Sequence, residues 1–145
     1  MGQYDELDVT AVVQGRAGDE RELLAVWNLA HERGTWEGIL RKDPDNTVAQ
    51  GALEQLPAAG PLEALAANAR LVDLLTGRRW YVMRDAREAG ATWAEIGQAL
   101  GMTKQGAADW YRRAIAKQEQ YVGDLHDTAR ARAVVEQKGT AGEAA

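Results

Sequence analysis

At 145 residues, with no cysteine and 46% hydrophobic residues, the chain is long enough to bury a core without disulfides, and cysteine-ligated zinc is excluded. No apolar run approaches the roughly 20 residues of a membrane-spanning helix, and the acidic start Met1 to Asp8 lacks the basic flank and apolar segment of a signal peptide, so a cytoplasmic protein with no membrane association is expected. The formal net charge of −5 argues against a uniformly basic nucleic-acid coat, and any such partner must be met by a local positive surface.

β-Branched residues are few. The one short strand candidate, Val9 to Val13, is also readable as part of an N-terminal helix with Tyr4, Leu7 and Ala11 on one face, and the fold class expected is all-α, a multi-helix domain. Gly15 and Gly18 break this first segment. Asp19 with Glu22 three residues on is a cap-and-carboxylate pair that opens a helix from Asp19 to Arg33, with Leu23, Trp27 and Ala30 as its apolar stripe and Gly34 as its stop. Thr35 then opens a short helix through Trp36, Ile39 and Leu40, ended by Asp43-Pro44, and Asn46 caps another running to about Leu56. Such short pieces need partners and are expected to fold against the long helix downstream. Residues 1–56 therefore form an acidic N-terminal helical region, and 57–61, built of Pro, Ala and Gly, a linker.

Pro61 suits the first turn of the next helix. Leu62, Leu65, Ala69, Val72 and Leu75 repeat at helical spacing, and the pattern resumes through Trp80, Met83 and Ala86 to Gly90. A single long helix containing Gly77 is favoured over two helices broken at Thr76-Gly77.

Thr92 to Trp110 carries the densest set of local signals. Thr92 and Glu95 form a capping box, Ile96 and Leu100 share a face, Gly97 leaves room for a second helix to approach, Gly101 ends the first helix, and Thr103 caps the next. Stepping about 100° per residue from Lys104 puts Ala107, Trp110 and Ala114 on a packing side and Gln105, Ala108, Asp109 and Arg112 on the opposite side. Trp93 and Trp110 are expected in the core.

The run Thr-Trp-Ala-Glu-Ile-Gly-Gln-Ala-Leu-Gly-Met-Thr-Lys-Gln-Gly-Ala resembles the helix-turn-helix of small actinobacterial regulators and of the sigma-factor region-four type, over roughly residues 82 to 115. The resemblance implies duplex DNA binding through the second helix, usually as a homodimer, with recognition by Thr103, Lys104, Gln105 and Arg112. Gly106 stands where that family commonly has alanine, and Asp109 adds a negative charge to the DNA-facing side.

The residue chemistry offers a division of labour. Gln105 suits adenine, Arg112 suits guanine or a phosphate, Asp109 either accepts from cytosine or orients Arg112, and Ala108 packs on a thymine methyl. Thr103, Lys104 and Arg113 suit phosphates, with Lys117 further round. From Arg70 to Lys117, nine Lys and Arg stand against five Asp and Glu. Arg78, Arg79, Arg84 and Arg87 either reach flanking phosphates or are solvated.

Residues 62–120 are thus the expected DNA-binding region, with the long helix ahead of the helix-turn-helix. Residues 121–137 form a C-terminal helix that either dimerises or packs back on the N-terminal helices, and 138–145 a disordered tail. Asp43, Asp45, Thr47 and Glu54 echo a calcium loop, but Val48 replaces its required glycine. His31 and His126 lack any metal or nucleophile partner pattern. No catalytic residue, metal ligand or cofactor is expected, and the chain is not expected to be an enzyme. The reading is a sequence-specific transcriptional regulator that binds double-stranded DNA as a homodimer on an inverted repeat. The alternative is a protein-interaction module docking on transcription machinery or another regulator, with the N-terminal region supplying the partner surface. An effector pocket among the N-terminal helices is a third possibility without ligand-specific residues.

Overall fold

A computed structural model describes residues 2–16 and 18–136. Every element among them is helical: α1 (Val9–Val13), α2 (Glu20–Lys42), α3 (Thr47–Gln55), α4 (Pro61–Glu88), α5 (Trp93–Leu100), α6 (Lys104–Val122), a 3-10 turn (Gly123–Leu125) and α7 (Thr128–Glu136). The expected disordered tail, 138–145, lies outside the described residues. The chain forms two compact units, Met1–Leu75 and Thr76–Ala145. The boundary falls within α4, and the expected linker 57–61 lies inside the first unit.

In the first unit, the local caps act where the sequence puts them. The Asp19 carboxylate accepts from the Arg21 and Glu22 amides, and the Asn46 side chain accepts from the Ala49 amide at 2.9 Å. Two expectations fail in α2. The helix runs through Gly34 to Lys42 as one piece, and within it the Thr35 hydroxyl donates back to the His31 carbonyl at 3.1 Å and caps no new helix. Its buried residues are Leu23, Val26 and Leu29, while Trp27 is 42% exposed. Leu23 and Val26 meet Val12 and Ala67 in one cluster, flanked by Leu71 and Leu74, and Leu29 meets Tyr4 and Ala59 in another. The first unit therefore packs on α4 through Ala67, Leu71 and Leu74. The expected stripe Leu62, Leu65, Val72 and Leu75 is exposed instead.

Arginines hold helix ends in this unit. Arg33 Nη1 donates to the carbonyls of Leu56 and Pro57, both at 3.1 Å, beyond the end of α3. Arg70 Nη1 donates to the Val12 carbonyl in the last turn of α1 at 2.6 Å, and Gly15 (φ +73°) lies against the same guanidinium. The last carbonyls of a helix lack intrahelical donors and carry partial negative charge, so a guanidinium satisfies both needs at once.

The second unit has its own core. Met83, Trp93, Ile96, Ala107, Ala108, Tyr111, Ile115, Ala131 and Val134 form one buried cluster. α4 continues through Gly77, as favoured from sequence, and ends in a left-handed Gly90 whose amide donates to Arg87 while Ala91 donates to Ala86. The expected C-terminal helix 121–137 is broken. α6 stops at Val122, and Asp127 recaps the chain by accepting from the Arg130 amide at 3.0 Å. α7 then packs back through Ala131 and Val134.

Polar contacts from four side chains fix α7, among them the Arg87 guanidinium on the Val134 carbonyl. Arg130 and Arg132 make paired hydrogen bonds to Glu88 and Glu119, and these hold both carboxyls below their ordinary range. The fully buried Tyr111 donates its hydroxyl to the Ala131 carbonyl at 2.6 Å. Burial pushes the Tyr111 phenol up to about 12. The folded state then keeps a proton that the unfolded chain loses above its ordinary value, so the Tyr111 contribution to stability is complete below pH 10 and is lost between about pH 10 and 12. Urea melts across that range should show this decline, and Tyr111→Phe should reduce it. An unchanged alkaline slope in Tyr111→Phe would assign it elsewhere.

Candidate nucleic-acid interface

The α5 to α6 connection is built from contacts no more than five residues apart. Thr92 Oγ1 accepts from the Glu95 amide at 3.0 Å, and Glu95 Oε1 accepts from the Thr92 amide at 3.1 Å, which completes the capping box. At the other end, the Met102 amide donates to Gly97 O at 2.7 Å and the Gly101 amide to Gln98 O, with Gly101 left-handed at φ +67°. This paired closure turns the chain sharply. Thr103 Oγ1 then accepts from the Gly106 amide at 2.9 Å and starts α6.

Gly97 has a steric reason. A Cβ on Gly97 would sit 2.7 Å from Met102 O and 3.0 Å from Thr103 carbonyl atoms, so the turn passes directly over it. A Cβ on Gly106 would meet the capping Thr103 hydroxyl at 3.0 Å.

The buried stripe of α6 differs from the helical-wheel expectation. Ala107, Ala108, Tyr111 and Ile115 face the core, with Trp110 only partly buried against it. Ala108 is 6% exposed, so it packs and does not offer its methyl to a base. The other candidates remain reachable: Thr103, Lys104, Gln105, Arg113 and Lys117 are exposed, and the Asp109 and Arg112 side chains are nearly half exposed. Arg113 and Lys117 make no ion pair among the described residues. The contact between Asp109 and Arg112, one of the two alternatives read from their spacing, is present, and Gln105 joins it without a sequence counterpart. Asp109 Oδ1 accepts from Gln105 Nε2 and from Arg112 Nη1, both at 3.0 Å.

The upstream arginines separate into different roles. Arg87 is fully buried, donating to Val134 O at 3.1 Å and Ala91 O at 2.9 Å and lying 4.8 Å over the Trp93 ring, so it reaches neither phosphate nor solvent. Arg84 pairs with Asp85 and stacks on Trp80. Arg79 lies 5.1 Å over Trp110. Trp93 is core, as expected from sequence.

Charge divides between the two units. Residues 1–75 hold thirteen Asp and Glu against six Lys and Arg, whereas residues 76–145 hold eleven Lys and Arg against nine Asp and Glu. In the first unit, an open groove of about 470 Å³ is lined mainly by apolar atoms, with Trp27, Ala30, Ala59, Pro61 and Ala64 joined by His31 and Thr35. Among the described residues no helix is long and apolar enough to cross a membrane, and no cluster of three metal-ligating side chains occurs.

Comparison with known proteins returned no match: no family model, no curated protein and no solved structure is similar to the chain.

Proposed function

We propose that the chain is a transcriptional regulator that binds double-stranded DNA through α6, acting in the cytoplasm as a homodimer on an inverted repeat. The observation that supports this most is the α5, turn and α6 unit itself. It holds the start of a helix out from a closed core with Lys104, Gln105, Arg112, Arg113 and Lys117 accessible on one element, the arrangement by which a helix-turn-helix enters a major groove. The chemistry is that of binding and not of catalysis.

A second copy is supported by α4. Leu62, Leu65, Val72 and Leu75 are 78%, 62%, 52% and 54% exposed, and at about 100° per residue Leu65 and Val72 lie at the centre of a broad apolar face with Leu62 and Leu75 on its two flanks. Their spacing is symmetric about the bond between residues 68 and 69. An antiparallel copy of α4 would set Leu62 level with Leu75 and Leu65 level with Val72, the self-matching a two-fold interface requires.

Selection of bound duplexes from a random pool at low salt tests the reading. A palindromic sequence should be enriched, and binding should weaken as salt rises because Lys and Arg displace counterions. No enrichment, together with salt-insensitive capture of a protein partner by the acidic first unit, would replace it with the interaction-module reading.

A further inference from the structure

The α6 face holds a negative charge where a DNA surface should favour none, and the geometry points to a purpose for it. We infer that Asp109 is a positioning residue that fixes Gln105 and Arg112 as a pair of purine readers, so that the preferred site contains an adenine and a guanine about three base steps apart. This rests on the duplex-DNA reading above and deepens it to a sequence class.

A carboxylate can only accept hydrogen bonds. With Gln105 Nε2 at 3.0 Å from Asp109 Oδ1, the amide nitrogen is turned toward Asp109 and the amide oxygen away from it. One N–H and the oxygen remain unused, and that donor-acceptor pair matches adenine N7 and N6. Arg112 meets the same oxygen through Nη1 at 3.0 Å. Four of its five N–H groups remain for other partners, enough for guanine N7 and O6.

Gln105 and Arg112 are seven residues apart, about 10.5 Å along a helix, close to three steps of roughly 3.4 Å along one DNA strand. Both partners are accessible, with Asp109 and Arg112 side chains 44% and 43% exposed, so neither must be uncovered before binding. Ordering two long side chains in the free protein lowers the entropy cost of ordering them on DNA. The Arg112 guanidinium also balances the carboxylate beside the phosphates.

Asp109→Ala separates this role from simpler ones. The variant should keep its melting temperature, bind non-specific duplex more tightly because a negative charge is gone, and lose about tenfold of its preference at two base pairs together, those also relaxed by Gln105→Ala and Arg112→Ala. Equal gains on all duplexes would show that Asp109 only repels. Loss at a single third base pair would make it a direct reader of cytosine. Either result overturns the inference. A readout without DNA keeps it distinct from the DNA reading: nuclear magnetic relaxation of the Gln105 side-chain amide should report a rigid group in the parent and a mobile one in Asp109→Ala. A mobile amide in the parent would also overturn it, whatever duplex selection finds.

Discussion

Replacing Arg87 by alanine is expected to remove about 4 kcal/mol of stability from the second unit, a large share of the roughly 5–15 kcal/mol that a domain of this kind holds. The guanidinium is fully buried and donates to two carbonyls on different segments, Val134 in the last turn of α7 and Ala91 in the turn after α4. Each hydrogen bond from a charged donor contributes on the order of 1.5–3 kcal/mol, and each carbonyl left dry adds a desolvation cost. The stacked Trp93 face, 4.8 Å away, also loses its cation. Arg87→Lys should retain the charge but recover only about half the loss, since one ammonium does not reproduce a planar fork between two acceptors. Urea unfolding followed by tryptophan fluorescence measures both. A loss under about 1 kcal/mol for Arg87→Ala would mean that α7 is not docked through this side chain in solution.

Gly97→Ala should be the most damaging single-methyl change in the α5 to α6 unit. Helix propensity alone favours alanine by about 1 kcal/mol. The added carbon would stand 2.7 Å from Met102 O, a backbone atom held by its own turn, so α5 and the turn must separate. Overpacking of this kind costs about 1–3 kcal/mol, and the net expectation is a destabilisation of about 2 kcal/mol, with the proposed duplex binding lost as well because α6 would be re-aimed. Gly77→Ala is the matched control. It lies in α4 with nothing within 4 Å of the new carbon, so propensity acts unopposed and stability should rise by about 0.5–1 kcal/mol. Thermal melts of both variants decide the matter. A stabilised Gly97→Ala would show that the turn does not pass as close to α5 as the geometry requires.

These two glycines show where reading the chain succeeds and where it stops. The role of Gly97 is legible because the capping box at Thr92, the left-handed Gly101 and the Thr103 cap all sit within one short window and agree with each other. The candidate interface was legible to the same extent. Lys104, Gln105, Arg113 and Lys117 are exposed on α6, while Ala108 is buried beside Tyr111 and Ile115. The wheel had grouped Ala107 with Trp110, yet the packed row is 107, 111 and 115, spaced four apart, and that spacing was present in the sequence to be found. The same error of rotation misplaced Trp27 on α2 and the Leu62 to Leu75 row on α4.

Arg87 and Thr35 failed for a different reason. An arginine near the end of an amphipathic helix ordinarily reads as solvent-facing, and nothing near it in sequence announces acceptors as far away as Val134. Thr35 after Gly34 has the form of a stop followed by a start. It became helix interior because the burial of Leu23, Val26 and Leu29 fixes α2 before it, and the Thr35 hydroxyl found the His31 carbonyl within the same helix.

The sequence by itself determined that the protein is helical, where most of its helices begin and end, and that α5 and α6 meet across a tight turn, because caps and glycine turns are satisfied by atoms a few residues away. Only the tertiary structure decided which faces of α2 and α4 are buried, that Arg87 is a core residue and that α7 folds back on its own unit. Those outcomes depend on partners tens of residues distant, and a shift of one residue in a helical stripe turns its face by about 100°.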